Sequence, residues 1–233
     1  MADFPPDTPY SQAMNDLEIV YFDAGNTLLT AEPGIGESYA SAGARHGIAV
    51  TTEEIEASFV EVFSRQRTTT AVQGEDWWRE IVVQVFAPFG EAPPALFDDL
   101  YEHFSQPESF RLFPTALETL DAVAARGLRV GMISNWDERL HRLIEGLGIR
   151  DRLDPVIASY EVGFEKPDRR IFEAAVAASG VAPERSLLIG DEPVMDVEGA
   201  IAIGMKAVLV DRRDRHPSIT PRVRSLRDLI DLI

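Results

Sequence analysis

Cysteine is absent from this chain, which excludes disulfides and thiol catalysis and fits a reducing compartment. Lysine is nearly absent: Lys166 and Lys206 are the only two. Lysine and arginine together number 22 against 39 acids, giving a formal net charge of -17. A field of that sign repels nucleic acid and anionic membranes, so neither is expected as a partner. It also means that an anionic substrate needs strong local positive charge. No apolar run approaches the roughly 20 residues that span a bilayer. Residues 1–16 have neither the basic region nor the apolar core of a signal peptide, and their prolines and polar residues predict a poorly ordered leader. These absences predict a cytoplasmic protein.

What is present is an ordinary globular composition, 45% hydrophobic over 233 residues, enough for a sizeable core. Four short apolar runs read as fully buried strands: EIVYF before Asp23, LRVGMI before Ser134, SLLIG before Asp191 and KAVLV before Asp211. A weaker one, DPVIAS, occupies 154–159. Helix-period segments separate them. ALETLDAVAARG closes at Gly127 and DERLHRLIEGLG at Gly146 or Gly148; PDRRIFEAAVAASG opens with proline at the first helical position and closes at Gly180. Strand alternating with helix predicts an α/β fold with a doubly wound parallel sheet, whose ligands bind beyond the carboxyl ends of the strands.

Residues 33–109 have a different texture. Ile55, Phe59, Val62 and Phe63 recur at helical spacing, then Trp77, Ile81 and Val85, then PPALFDDLYEHFSQ behind its prolines. This predicts a helical cap inserted into a discontinuous core of residues 17–32 plus 110–233. Gly34-Ile35-Gly36 lacks the third glycine of a nucleotide fingerprint and reads as a hinge.

The chemistry-bearing residues gather at the predicted strand ends. Asp23 ends the first strand, Ser134-Asn135 the second; Lys166 precedes a helix in FEKPDRRIF, and Asp191 and Asp196 follow another strand in LLIGDEPVMD. Asp23, Asp191, Glu192 and Asp196 would crowd one crevice with a single lysine by motif, and acids that close cannot all ionise without a cation. Hard carboxylate oxygens beside a phosphate ligand describe a Mg²⁺ site. Ser134, Asn135, Lys166 and main-chain N–H groups of the turn after Asp23, Ala24 among them, would hold phosphoryl oxygens. Asp23, at a rigid strand tip, is placed to attack and form an aspartyl-phosphate.

These four pieces, spread over residues 17–211, resemble the four motifs of the haloacid dehalogenase superfamily, which consists largely of phosphatases. The resemblance implies a Rossmann-like core and a cap that chooses the substrate. It implies Asp23 as nucleophile, with Thr27 and Ser134 orienting the nucleophile and phosphate, and Lys166 steadying the nucleophile and phosphoryl group. Asp191 would be a Mg²⁺ ligand beside Asp23 and the main chain of Gly25, and Asp196 would support the metal shell or Lys166. The implied substrate is a small phosphorylated metabolite, and the chain is expected to be a monomer or a homodimer.

The departure from the family pattern is Gly25, where its phosphatases carry a second aspartate. Glycine keeps the carbonyl but loses the general acid–base, a group worth typically about 10²–10⁴-fold. A cap residue, Glu192 or water would then supply the proton, and acyl or aryl phosphates would suffer least from the loss. Two alternatives stay open: a non-catalytic phospho-ligand or partner-binding protein, and a 2-haloacid dehalogenase. The second fits poorly with the metal-binding G-D-x-x-x-x-D. Cleavage of a carbon–phosphorus bond by a cap lysine is excluded, because residues 30–110 contain none.

The remaining singular residues have bland readings. Of adjacent Trp77 and Trp78, one is expected inside the cap and one at the seam with the core, since neighbours on a helix point about 100° apart. Trp136 edges the pocket or packs away from it. His46, His103, His141 and His216 lack metal-ligand spacing. The basic cluster at 211–216 reads as a solvated loop, with a distal phosphate contact as its other role. Gly199-Ala200 lets its helix approach the sheet.

Overall fold

The computed structural model describes residue 14 and residues 16–66 and 73–233, so the predicted leader lies almost wholly outside the described residues. Strand β1 (Ile19–Phe22) leads to β2 (Leu29–Ala31), which pairs antiparallel with β3 (Phe110–Leu112). The other strands are β4 (Arg129–Ser134), β5 (Val156–Ala158), β6 (Ser186–Gly190), β7 (Lys206–Val210) and β8 (Arg222–Val223). With β1 they form one sheet in the order β5-β4-β1-β6-β7-β8, every pair parallel. The five strands expected from sequence are all present. The β2–β3 pair and two-residue β8 are additions; they are too short to leave a periodic signal.

Both faces of the sheet are covered, which is why its strands read as continuous apolar runs. Val20, Phe22, Met132, Leu187, Ile189 and Val208 belong to one buried cluster, and Ile19, Tyr21, Ile133, Leu188 and Leu209 to another. This is the two-residue alternation of a pleated strand. Tyr21 lies across β4, where a Cβ on Gly131 would come within 2.6 Å of its ring, and its hydroxyl donates to Ala175 O at 3.0 Å. Only glycine fits opposite that phenol.

Between β2 and β3 lie α1 (Ile35–Arg45), α2 (Thr52–Gln66), α3 (Glu75–Phe86) and α4 (Pro94–His103). Their apolar faces close on each other around Tyr39, Phe59, Ile81, Phe86 and Leu96. Gly36 serves packing more directly than hinging: a Cβ there would meet Glu56 Cβ at 2.9 Å, so α1 crosses α2 at close range. The helices touch the rest of the chain at a few polar points. Tyr101 Oη donates to Glu138 Oε1 at 2.6 Å, and Gln73 N donates to Glu165 Oε1 at 2.7 Å. Trp77 and Trp78 meet edge to face beside Phe63, and Trp78 is the one that faces Arg139 of the sheet-bearing segment.

The remaining helices are α5 (Ala116–Ala125), α6 (Leu140–Gly146), α7 (Ser159–Val162), α8 (Arg169–Ser179), α9 (Gly199–Ala202) and α10 (Leu226–Ile230). Two boundaries differ from expectation. In α8, Asp168 is the cap and its carboxylate accepts Arg170 N at 3.0 Å, so Pro167 precedes the helix instead of opening it. And α6 starts at Leu140 because buried Asp137 accepts both the main-chain N–H and the guanidinium of Arg139, holding a turn where a helix was expected. Gly199 makes its close approach to Phe172 of α8 and to Pro167, at 2.8 and 3.1 Å from a would-be Cβ, while Ala200 is buried with sheet residues Leu188 and Leu209.

Candidate active site

Three neighbouring strands carry the site. Phe22 is in register with Met132 on one side and Ile189 on the other, which sets Asp23, Ser134 and Asp191 along one edge. Asp23 N extends the ladder with a 2.8 Å bond to Ile189 O, so the base of the carboxylate is fixed by the sheet. Ser134 Oγ donates to Asp23 Oδ1 at 3.0 Å. Lys166 Nζ donates to the same oxygen at 2.7 Å, to Asp196 Oδ1 at 2.6 Å and to Ile133 O at 3.0 Å. All three ammonium protons are used, and Asp23 Oδ2 accepts no hydrogen bond from the described residues.

The loop that carries Lys166 is positioned by Asn135. Its amide nitrogen donates to Lys166 O at 3.0 Å and its amide oxygen accepts Lys166 N at 2.7 Å. Expected at the substrate, the Asn135 side chain is instead spent on this main chain. Asp196 sits in a π-helical turn, Pro193–Glu198, and its second oxygen accepts Glu192 N at 3.0 Å. A Cβ on Gly190 would lie 2.2 Å from the Asp196 carboxylate, so the glycine before Asp191 is dictated by the acid that folds over it.

The turn after Asp23 is closed by Ala24 O, which accepts Thr27, Leu28 and Leu29 N, with Asn26 at φ +55°. The N–H of Ala24 donates to no described residue, as an anion-binding group should. Thr27, expected to orient the nucleophile, has a buried hydroxyl with no partner and no bond to Asp23. Arg212, of the basic cluster expected in a solvated loop, buttresses the turn after Asp23, a role the sequence does not indicate. The loop around it does not carry it into solvent: its guanidinium donates to Asn26 O and, at 2.8 Å, to Thr27 O, and it stacks 3.7 Å above the Phe113 ring. No motif announces it, because the contact spans some 185 residues.

Asp23, Asp191 and Asp196 each offer an oxygen, and these oxygens lie within 4.8 Å of one another. Burial, then the charges of Asp23, Asp196 and Glu192, push the Asp191 carboxyl up from 3.8 to about 8. Burial likewise pushes Asp23 up, with Lys166 opposing. Burial works against the Lys166 ammonium, but Asp196 and Asp23 outweigh it and hold its pKa above the ordinary value. One cation among three crowded acids leaves negative charge in excess, and a hard oxygen set of this kind fits a divalent ion such as Mg²⁺. A titration follows. Asp191 binds a proton more tightly in the folded than in the unfolded chain, so the metal-free protein loses stability as pH rises from about 4 towards about 8. A cation displaces that proton. The rise in Tm on adding Mg²⁺ is therefore expected to be several degrees larger at pH 8 than at pH 5.5; equal rises would show that the ion does not bind at Asp191.

Sequence and structure comparisons agree with this geometry. Residues 17–204 match the family model for haloacid dehalogenase-like hydrolases. The chain belongs to the haloacid dehalogenase-like hydrolase family. It is 32% identical to mouse haloacid dehalogenase-like hydrolase domain-containing protein 3, over 93% of this chain and 95% of that one. It is similar to the HAD phosphatase of Thermococcus onnurineus at 25% identity and a TM-score of 0.69, covering 93% and 97% of the two chains. The fold is shared with the magnesium-bound HAD-hydrolase YfnB of Bacillus subtilis, at 17% identity and a TM-score of 0.78 over 93% and 98%. No described helix is long and apolar enough to cross a membrane.

Within this hydrolase family member, the second position after Asp23 is walled off. A Cβ on Gly25 would lie 3.3 Å from Trp136 Cζ3. The main chain of Trp136 is held at the β5 end and its ring packs beside it: Trp136 N donates to Ser159 Oγ at 3.1 Å, its carbonyl accepts Ser159 Oγ and Tyr160 N at 3.2 Å, and its ring meets Phe110 edge to face at 5.8 Å.

Proposed function

We propose that this protein is a Mg²⁺-dependent phosphatase that works through an aspartyl-phosphate on Asp23, acting on a small phosphorylated metabolite under a cap formed by residues 33–109. The observation that carries this reading is the meeting of three carboxylates within 4.8 Å, one of them the attacking Asp23, already oriented by Lys166 and Ser134. Mg²⁺, held by Asp23 and Asp191 with the Gly25 carbonyl and with Asp196 in support, would supply charge neutralisation between nucleophile and phosphate. The chain's own residues do the rest. Lys166 and Ser134 fix one oxygen of Asp23 and leave the other its lone pairs. Ala24 N–H, which has no partner among the described residues, is the donor left for the phosphoryl oxygens, whose charge spreads in the transition state. Asp196 keeps Lys166 protonated and aimed.

Because Gly25 supplies no acid, a leaving group that is stable as an oxyanion departs most readily, and the same lack slows the attack of water on the aspartyl-phosphate. Turnover of a reactive phosphate should therefore begin with a burst of about one leaving group per site. The test is phosphate release from acetyl phosphate, para-nitrophenyl phosphate and a sugar phosphate, with and without Mg²⁺. Wild type is expected to be active only with the ion, and Asp23→Asn to lose activity by roughly four orders of magnitude or more. No phosphate release from any of them would favour a binding protein. Chloride release from 2-chloropropionate without metal would make the chain a dehalogenase.

A further inference from the structure

Trp136 stands beside the place where a side chain on Gly25 would start, its Cζ3 3.3 Å from a would-be Cβ. Gly25 is two residues beyond Asp23, and Trp136 is two beyond Ser134, which donates to Asp23, so in the phosphatase reading the ring borders the space into which a leaving group departs. The substance a leaving group meets there is an indole edge backed by Phe110, not a carboxylic acid. Gly25 and Trp136 are both partly exposed, so neither is sealed inside the core. The anchoring through Ser159 and Tyr160 fixes the ring on its main chain, so its position is paid for before any ligand arrives.

We propose that Trp136 determines specificity for the leaving group, and that the substrates are phosphates of planar aromatic oxyanions: aryl phosphate esters or aroyl phosphate anhydrides. This rests on the phosphatase reading and narrows it. Two requirements converge on the same chemistry. Without an acid, the electron pair of the breaking P–O bond must stay on an oxygen that is stable unprotonated, a phenolate or a carboxylate. Beside an indole, a flat conjugated group gains contact that a sugar or a short alkyl chain does not. The step balances without a further reactant: an Asp23 oxygen forms a bond to phosphorus, the leaving oxygen takes the pair of the broken bond, and water then cleaves the aspartyl-phosphate. Both protons of that water leave with the released phosphate.

The experiment has a binding arm and a turnover arm. Phenylphosphonate and methylphosphonate are titrated into the Mg²⁺-loaded protein by calorimetry. Wild type is expected to prefer the phenyl compound about fivefold or more, Trp136→Phe to keep most of that preference, and Trp136→Ala to lose it. In turnover, Trp136→Ala should lower kcat/KM for para-nitrophenyl phosphate or benzoyl phosphate about fivefold more than for acetyl phosphate. Whichever of the two aromatic compounds shows the larger differential identifies ester or anhydride as the preferred class. Equal affinities of the two phosphonates in wild type, or a preference that survives in Trp136→Ala, would overturn the proposal and leave the phosphatase reading standing. A phenyl preference carried by Trp136 in a protein that hydrolyses nothing would keep the aromatic site and overturn catalysis. If neither phosphonate binds, both fail.

Discussion

Gly25→Asp alone is expected to leave hydrolysis of alkyl phosphates almost where it was, whereas Gly25→Asp combined with Trp136→Ala should raise it by about 10²–10⁴-fold, the usual worth of a general acid–base. The glycine's backbone is not in the left-handed region, so main-chain conformation does not forbid a side chain there. What resists it is the ring: the new Cβ would start 3.3 Å from Trp136 Cζ3, so the indole must give by a few tenths of an ångström. Its main chain is bonded to Ser159 and its ring is packed on Phe110, and both oppose that shift. Removing it opens the space an acid needs beside the leaving oxygen. The comparison is kcat/KM for a sugar phosphate in wild type, the two single variants and the double variant. A full gain from Gly25→Asp by itself would show that the indole is no obstacle. No gain in the double variant would show that phosphate is not held against Asp23.

Lys166→Met should be the most damaging change to stability, by about 3–5 kcal/mol, because it leaves two buried carboxylates without their counter-ion. For a chain of this size that corresponds to a fall in Tm of roughly 6–20 °C. Two conditions should reduce the deficit. Lowering the pH protonates Asp23, which burial already biases towards the neutral form. Adding Mg²⁺ supplies a replacement cation. Thermal unfolding of the variant and wild type at pH 5 and pH 8, with and without Mg²⁺, checks both. A deficit that ignores pH and metal would mean that Lys166 acts by packing its alkyl chain and not by its charge. Activity should fall with stability, but a variant measured well below its Tm separates the two losses.

Much of the architecture is local in origin. An apolar run such as SLLIG or KAVLV, five residues long and closed by an acid, is too short for a buried helix and reads as a strand buried on both faces. The order of those runs sets the ends of β1, β4 and β6 side by side, so Asp23, Ser134 and Asp191 were legible as neighbours before any coordinate. Lys166 could be added because lysine is so rare here that its position beside a proline stood out.

Other features depend on which atoms meet across the fold, and no spacing encodes that. Asn135 turned from the substrate to the Lys166 main chain, Arg212 came back over the nucleophile turn, and Thr27 kept its hydroxyl to itself. The absence of an acid at Gly25 was written in the sequence. That an indole 111 positions further on borders its place was decided only when two strand ends closed on each other, since van der Waals contact depends on distance in space and not along the chain.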